Sequence, residues 1–353
     1  MKIDDIVFLN SSAVFAIAII FLLICLILKK SPQSLGSYKY LMIYIDLFEL
    51  AYAFLYFLEK PKLLTKESAF FLIVNWKESL FPKFVVCVLD LLFVGCFGFS
   101  IAILALHFIY RFFSITNNPH LKSFDSWKIV LWFMIPALNG LAFMCTGGIL
   151  MSADPQTDRF LNENYQEISE NTTSLEDLYY VGPLFWPKHD NSTTEQYFSW
   201  KAAKACIIAM GVITISSSIM LYFGVKGYRM MSKLIATAGV SYKFKTIQKQ
   251  LFIALLFQTA IPVFLMHLPA TAIYVTIFLG NSKEIIGEII SLTIALYPAL
   301  NPIPTLFVVK NYRKAIIDAF CYFFNIAGCG QKVVPMTITA TASTRNSNIL
   351  DRS

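Results

Sequence analysis

Charge is what this chain lacks most. Only 14% of its 353 residues are Asp, Glu, Lys or Arg, while 57% are hydrophobic; a soluble globular chain carries about 25% charged residues. So little charge cannot coat one or two water-soluble domains, which points to lipid as the solvent. Catalytic signatures are missing too. The chain has no HExxH, GxSxG, Walker loop or glycine-rich dinucleotide fingerprint, and its four histidines are scattered. It is therefore not read as an enzyme, and no cofactor, metal or nucleic-acid partner is expected. Cysteine is absent where a staple would matter: none of the seven falls in the acidic segment 152–200, so no disulfide can hold that segment.

Long apolar runs are what the chain does have. Seven windows, at 6–28, 41–58, 84–110, 129–151, 202–225, 251–279 and 285–309, can each cross ~30 Å of hydrocarbon as a helix. They are apolar all round, whereas barrel strands alternate over about ten positions. The expected fold is an all-α membrane protein, a seven-transmembrane helix bundle. The first window is too long for a signal peptide, is followed by Lys29 and Lys30, and shows no small-residue cleavage site.

Charge then orients the bundle. Asp4 and Asp5 precede the first window and favour an outside N-terminus, with the C-terminus cytoplasmic. The inner segments 29–40, 111–128, 226–250 and 310–353 then hold 18 of the 29 Lys and Arg but three of the 22 acids. Segment 226–250 alone carries Lys226, Arg229, Lys233, Lys243, Lys245 and Lys249 with no acid. Segment 152–200 has nine acids, two basic residues and sequons at Asn171 and Asn191, as suits an extracellular glycosylated loop. Segment 59–83 runs against the trend, with five lysines on the outer side.

One arginine interrupts the grease. In "LHFIYRFFSI" (106–115), Arg111 ends a run that has no charge from Leu91 to Tyr110. It is either an anchor snorkelling to the headgroups or a switch residue facing the bundle and a cytosolic partner. Prolines mark the last two windows: Pro262 and Pro269 in the sixth, then Pro298, Pro302 and Pro304 in the seventh. Each frees a backbone carbonyl and allows bending. Beyond them Arg313, Lys314, Ile316, Ile317, Phe320 and Phe324 alternate charge and grease at helical spacing. That pattern fits a short helix on the inner leaflet (311–324) or a frayed continuation of the seventh helix. The membrane-embedded body is thus expected over 1–324, with 325–353 a flexible cytoplasmic tail. Cys321 and Cys329 there are either palmitoylated or unmodified thiols.

A cavity for a small molecule needs apolar walls with a few polar groups. Asp90 lies about two turns below the outer end of the third helix, and Phe93 and Phe97 share its face. His267, Thr271 and Tyr274 recur on one face of the sixth helix, and Glu288 and Ser291 on one face of the seventh. These eight are the candidate ligand residues. Alternatively, Asp90 pairs with Lys201 or Lys204 of the fifth helix, and His267 satisfies an interior hydrogen bond. Asp46 and Glu49 share a face nearer the cytoplasmic end of the second helix and look like packing or switch groups.

Four stretches, "LGSYKYLM" (35–42), "HFIYRFF" (107–113), "QKQLFIALLFQTAIP" (248–262) and "YPALNPIPTLFVVKNYR" (297–313), resemble the nematode Str-type seven-transmembrane chemoreceptors, the odorant-response receptor family. The resemblance implies a rhodopsin-like G-protein-coupled receptor in the plasma membrane of sensory-neuron cilia. It implies an odorant or other chemical cue as ligand and a heterotrimeric G protein as partner. It also puts Tyr110-Arg111 where other G-protein-coupled receptors carry an acid-Arg-aromatic motif. Tyr110, Arg111, Pro262, Asn301, Pro302 and the basic residues of 226–250 thereby become candidate switch and coupling positions. Tyr110 replaces the acid, Thr305 stands where tyrosine is usual, and Ala260 where tryptophan is usual. A transporter and an odorant-gated channel subunit are the alternatives. The lack of an internal repeat opposes the first, and the charge bias opposes the second.

Overall fold

Away from water every peptide group must find its partner inside the protein, so unbroken apolar runs become helices. The computed structural model describes residues 3–32, 35–168, 174–189, 195–237, 239 and 241–323, and seven of its helices are long and apolar enough to cross a membrane. The first four are α1 (Ile3–Lys30), α2 (Tyr38–Glu59), α3 (Lys83–Thr116) and α4 (Ile129–Leu150). The short α5 (Pro155–Ile168) is no crossing, and α6 (Trp200–Ala236) is the fifth. The sixth is α7 (Tyr242–Pro262) continued by one wider turn, Val263–His267, into α8 (Leu268–Phe278). The seventh is α9 (Glu284–Leu300) with α10 (Ile303–Val308), and α11 (Lys310–Phe323) follows. One compact unit runs from Met1 to Arg313 and a second from Lys314 to Ser353, so the division falls inside α11.

The structure is mostly helical, as expected, and adds one small three-stranded sheet. Segment 59–83 folds into the hairpin β1 (Lys62–Lys66) and β2 (Ala69–Asn75), and β3 (Leu178–Val181) adds antiparallel to β2. Left-handed Lys60, followed by Pro61, ends α2 and turns the chain into β1. Side chains alternate across the sheet as the strand period requires. Leu63, Phe70, Leu72, Tyr179 and Val181 face the bundle core, while Leu64, Phe71, Ile73 and Tyr180 face away and pack with Phe160 and Leu161 of α5. Both faces are covered, so "AFFLIV" (69–74) is apolar throughout and resembles part of a spanning run rather than an alternating strand.

This cap is tied to the sixth and seventh crossings. At the hairpin tip Glu67 exchanges two backbone hydrogen bonds with Ser282, at 2.9 and 3.0 Å. Thr65 Oγ1 donates to the Lys283 carbonyl at 2.7 Å and accepts from the Gly287 N–H at 3.1 Å. Trp186 Nε1 donates to the Phe278 carbonyl at 2.8 Å. On the other side Lys201 of α6 holds Asp154 at 2.9 Å. Burial pushes the Asp154 pKa up, but the Thr157 N–H and the Lys201 ammonium outweigh it and hold the carboxyl below its usual value.

One correction concerns segment 226–250, read from the sequence as a basic inner loop between the fifth and sixth windows. It is mostly helix: Lys226, Arg229 and Lys233 extend α6, and Lys243, Lys245 and Lys249 open α7. No proline interrupts 226–236, so the backbone ladder continues past the apolar window. Lys245 Nζ donates to the carbonyls of Ile235, at 3.1 Å, and of Thr237, capping the end of α6. Asn171, Asn191 and Cys329 lie outside the described residues.

The cap depends on one close approach. A Cβ on Gly182 would lie 1.9 Å from the Phe70 carbonyl oxygen. Gly182→Ala should therefore cost at least the ~1–3 kcal/mol of an overpacked core. Purified protein should unfold several degrees below wild type, whereas Gly211→Ala, where a Cβ meets nothing within 4 Å, should match it. Equal melting of the two variants would show that the sheet is not seated this way.

Candidate functional site

Arg111 lies inside the protein. It is 1% exposed, among the largest fully buried side chains, and its carbon Cζ lies 3.3 Å from the centre of the Tyr38 ring. Its Nη1 donates to Gln248 Oε1 at 2.9 Å, and Gln248 Nε2 donates in turn to Ser114 Oγ at 3.3 Å. Nε and Nη2 have no hydrogen-bond partner. The anchor reading is thereby corrected: a guanidinium under an aromatic ring and an amide is held inside the bundle. Around it Tyr110 packs on Tyr38 with centroids 5.1 Å apart, and on Phe124 at 5.0 Å. The Tyr38 hydroxyl meets His107 Nδ1 at 3.2 Å. Tyr38, Arg111 and Gln248 belong to three of the four stretches that carry the family resemblance. The fourth stretch comes close, since the Lys310 N–H donates to Gln250 Oε1 at 3.3 Å.

The end of the bundle below the sheet has the opposite character. Asp90 and Glu59 are both buried, at 0% and 4% exposure, and none of their four carboxyl oxygens has a hydrogen-bond partner. Lys201, the expected partner of Asp90, pairs with Asp154 instead, and Lys204 is exposed. The ion pair expected between Asp90 and α6 is therefore absent: Lys201 lies in the first turn of α6, where the Asp154 carboxylate of the cap is within reach. Phe93 packs against Tyr56 and Tyr52, with centroids at 6.1 and 5.2 Å, and against Phe97 at 6.1 Å. Tyr179 of β3 covers this region; burial and then the Asp90 carboxyl push its phenol pKa up.

Between the two ends, Asn301 Nδ2 donates to Glu49 Oε1, and both residues are buried with Asp46 and Thr305. Pro302 opens α10 beside them. His267, in the wider turn after Pro262, meets Ser100 Oγ at 3.2 Å through Nε2, while Nδ1 has no partner. Thr271 donates its hydroxyl back to the His267 carbonyl at 2.7 Å, and Tyr274 meets Phe70 of the sheet edge-on at 6.1 Å. Asp90, Phe93, Phe97, His267 and Tyr274 thus sit in or against the core under the cap. Ser291 is half-buried. Glu288 does not join them: it is exposed with Ile285 and Ile289, because Gly287 and Ile290 form the inward face of α9. Lys226, Arg229, Lys233, Lys243 and Lys249 are exposed at the arginine end. Sequence reading missed Tyr38, Gln248 and Glu59. The first two lay inside quoted family stretches, and Glu59 read as the charge that closes an apolar window.

Comparison with known proteins settles the class. The model of the family described as "Serpentine type 7TM GPCR chemoreceptor Str" matches residues 5–317. The chain belongs to this family. It is 30% identical over 311 residues to "G-protein coupled receptor str-217" of Caenorhabditis elegans, covering 88% of each chain. It is 24% identical over 299 residues to "Serpentine receptor class r-10" of the same nematode, covering 84% of this chain and 85% of the relative. Against "G-protein coupled receptor str-33" the identity is 24% over 322 residues, covering 90% and 91%. The protein is a multi-pass membrane receptor of the serpentine chemoreceptor class, and the class is a receptor rather than an enzyme.

The mid-bundle contact makes a test of its own. Asn301→Leu strands a buried Glu49 carboxyl, which costs about 1–3 kcal/mol, so the purified receptor should melt several degrees lower. Glu49→Gln keeps an acceptor for Asn301 and should melt near wild type. If Asn301→Leu melted no lower than Glu49→Gln, the contact would hold nothing.

Proposed function

We propose that this receptor binds a small chemical cue toward the sheet end, outside the cell, and activates a heterotrimeric G protein from the arginine end. One observation carries the reading: Arg111 is buried yet held only by neutral groups, a ring on α2 and an amide on α7. Such a contact is strong enough to close the helices together and weak enough to be exchanged for a partner's acceptors. The sixth crossing can make that exchange because Pro262 and the wider turn after it interrupt its ladder. Exposed Lys226, Arg229, Lys233, Lys243 and Lys249 give the same end a cationic rim for a cytosolic partner. Two relatives bear G-protein coupling in their names, which supports the same partner. The acids and sequons of 152–200 support an outward-facing cap, and plasma-membrane residence in sensory cilia goes with this role.

Two measurements test the reading. Arg111→Lys keeps the charge but loses the planar fork, so a charge-assisted bond worth about 1.5–3 kcal/mol goes with it. Cue-stimulated G-protein activation should fall about tenfold or more at unchanged surface expression, and Gln248→Leu should raise basal signalling. Full signalling by the lysine variant would reduce Arg111 to a fixed charge. Topology is the second: tags at the N-terminus and within 152–200 should be labelled on intact cells. Labelling only after permeabilisation would reverse the orientation.

A further inference from the structure

We propose that Glu59 and Asp90 together recognise a small organic ammonium ion, so that the chemical cue is a protonated amine. This deepens the chemoreceptor reading above and rests on it. The geometry comes from two antiparallel helices. Tyr56 of α2 packs on Phe93 of α3, with centroids 6.1 Å apart. Glu59 lies three residues beyond Tyr56 toward the sheet, and Asp90 three residues before Phe93 in the same direction. The two carboxyl groups therefore occupy neighbouring positions one turn above a packed ring pair, and each lies within electrostatic reach of the other.

What is missing there defines what fits. Two buried carboxyls offer four oxygens, and none accepts a hydrogen bond; the Tyr56 hydroxyl beside them is unpartnered as well. Buried polar groups are hydrogen-bonded as a rule, so this set is half of a site. Two carboxyls can both be ionised in so dry a place only with a positive group between them. Among the described residues none supplies it: Lys201 is on Asp154, Lys83 is exposed over Trp76, and Lys60 is exposed. A bare divalent ion is poorly served, since no trio of acid, histidine or cysteine side chains gathers among the described residues. An alkylammonium is served well. Its three N–H donors match the free oxygens, and its carbon body meets the Tyr56 and Phe93 rings and the apolar underside of the cap at Leu72 and Val181.

The test uses the full-length purified receptor in nanodiscs. Thermal unfolding is followed with benzylamine, 2-phenylethylamine, hexylamine, cyclohexylamine and their N,N-dimethyl forms. The matched alcohols and hexanoic acid are run beside them, and G-protein activation is measured on the same samples. At least one amine should raise the unfolding temperature where its alcohol does not. Asp90→Asn and Glu59→Gln, which relieve buried charge and should fold, should each weaken that amine on the order of 30-fold. Stabilisation by alcohols alone, an amine shift that both variants keep, or no amine shift across the panel would each overturn the proposal. Activation by neutral compounds alone would sink the ammonium site and leave the receptor reading intact. An amine shift lost in both variants, with no G-protein activation, would do the reverse.

Discussion

Lipid tails are as apolar as leucine, so hydrocarbon gives the helices of this receptor no reason to turn their grease inward. Close packing and polar contacts must order the bundle instead, and α3 supplies most of both. Its glycines let α4 approach until a Cβ on Gly98 would stand 2.8 Å from the Asn139 carbonyl oxygen. Asn139 then donates to Ser216 Oγ at 2.7 Å and fastens α6 to the same pair. The polar contacts of α3 follow one stripe along its length: Asp90, Ser100, His107, Arg111 and Ser114, each a sum of three- and four-residue steps from the last. A helix presents such positions to one side. Every one of them faces another crossing, the cap or an unfilled site.

That stripe gives the proposed signal a route made of parts that can change. Ser100 meets His267 at the end of the wider turn, and Arg111 meets Gln248 on α7 before it, so α3 grips the sixth crossing at and below its weakest point. A ligand needs differential affinity for two arrangements, not a wire between sites. In the proposed switch the second arrangement comes from α7 swinging about the wider turn after Pro262, while α8 stays tied to the cap by the bond from Trp186 to Phe278. The cap in turn joins β1 to α9 through Thr65. A molecule under the sheet therefore touches elements continuous with α8 and α9.

The crossings were legible because length and continuous hydrophobicity decide them, and these are properties of a single chain read in one dimension. The sheet was not legible, for a reason visible in Phe70, Phe71, Leu72 and Ile73. A strand covered on both faces loses its alternation, so nothing marked it as a strand inside the lysine-rich segment 59–83. The extension of α6 through Lys233 was missed because a charge run looks like a loop, although charged side chains hold a helix well once they face water. At the site, Asp90 and Arg111 stood out as lone charges in grease. Their surroundings did not: Tyr38 and Gln248 are ordinary residue types whose role comes from meeting Arg111 across the bundle, and no spacing within one segment announces that.

The two ends of the receptor are unequal in an instructive way. At the arginine end a cation is buried and its contacts are neutral, with two donors left over. At the sheet end two acids are buried with no cation, and four acceptors are left over. The middle is satisfied only in part: Asn301 donates to Glu49, while Asp46 Oδ2, Glu49 Oε2, Asn301 Oδ1 and Thr305 Oγ1 have no partner. Burying a polar group without a partner costs free energy that the fold must recover elsewhere, so the unfilled valence at the two ends is costly to maintain. It is economical only if something else completes each end: a donor-rich cation under the cap, and acceptor groups of a protein beside Arg111. In the proposed receptor the same deficit that weakens the empty state also favours the occupied one, because each partner supplies hydrogen bonds the chain cannot make for itself.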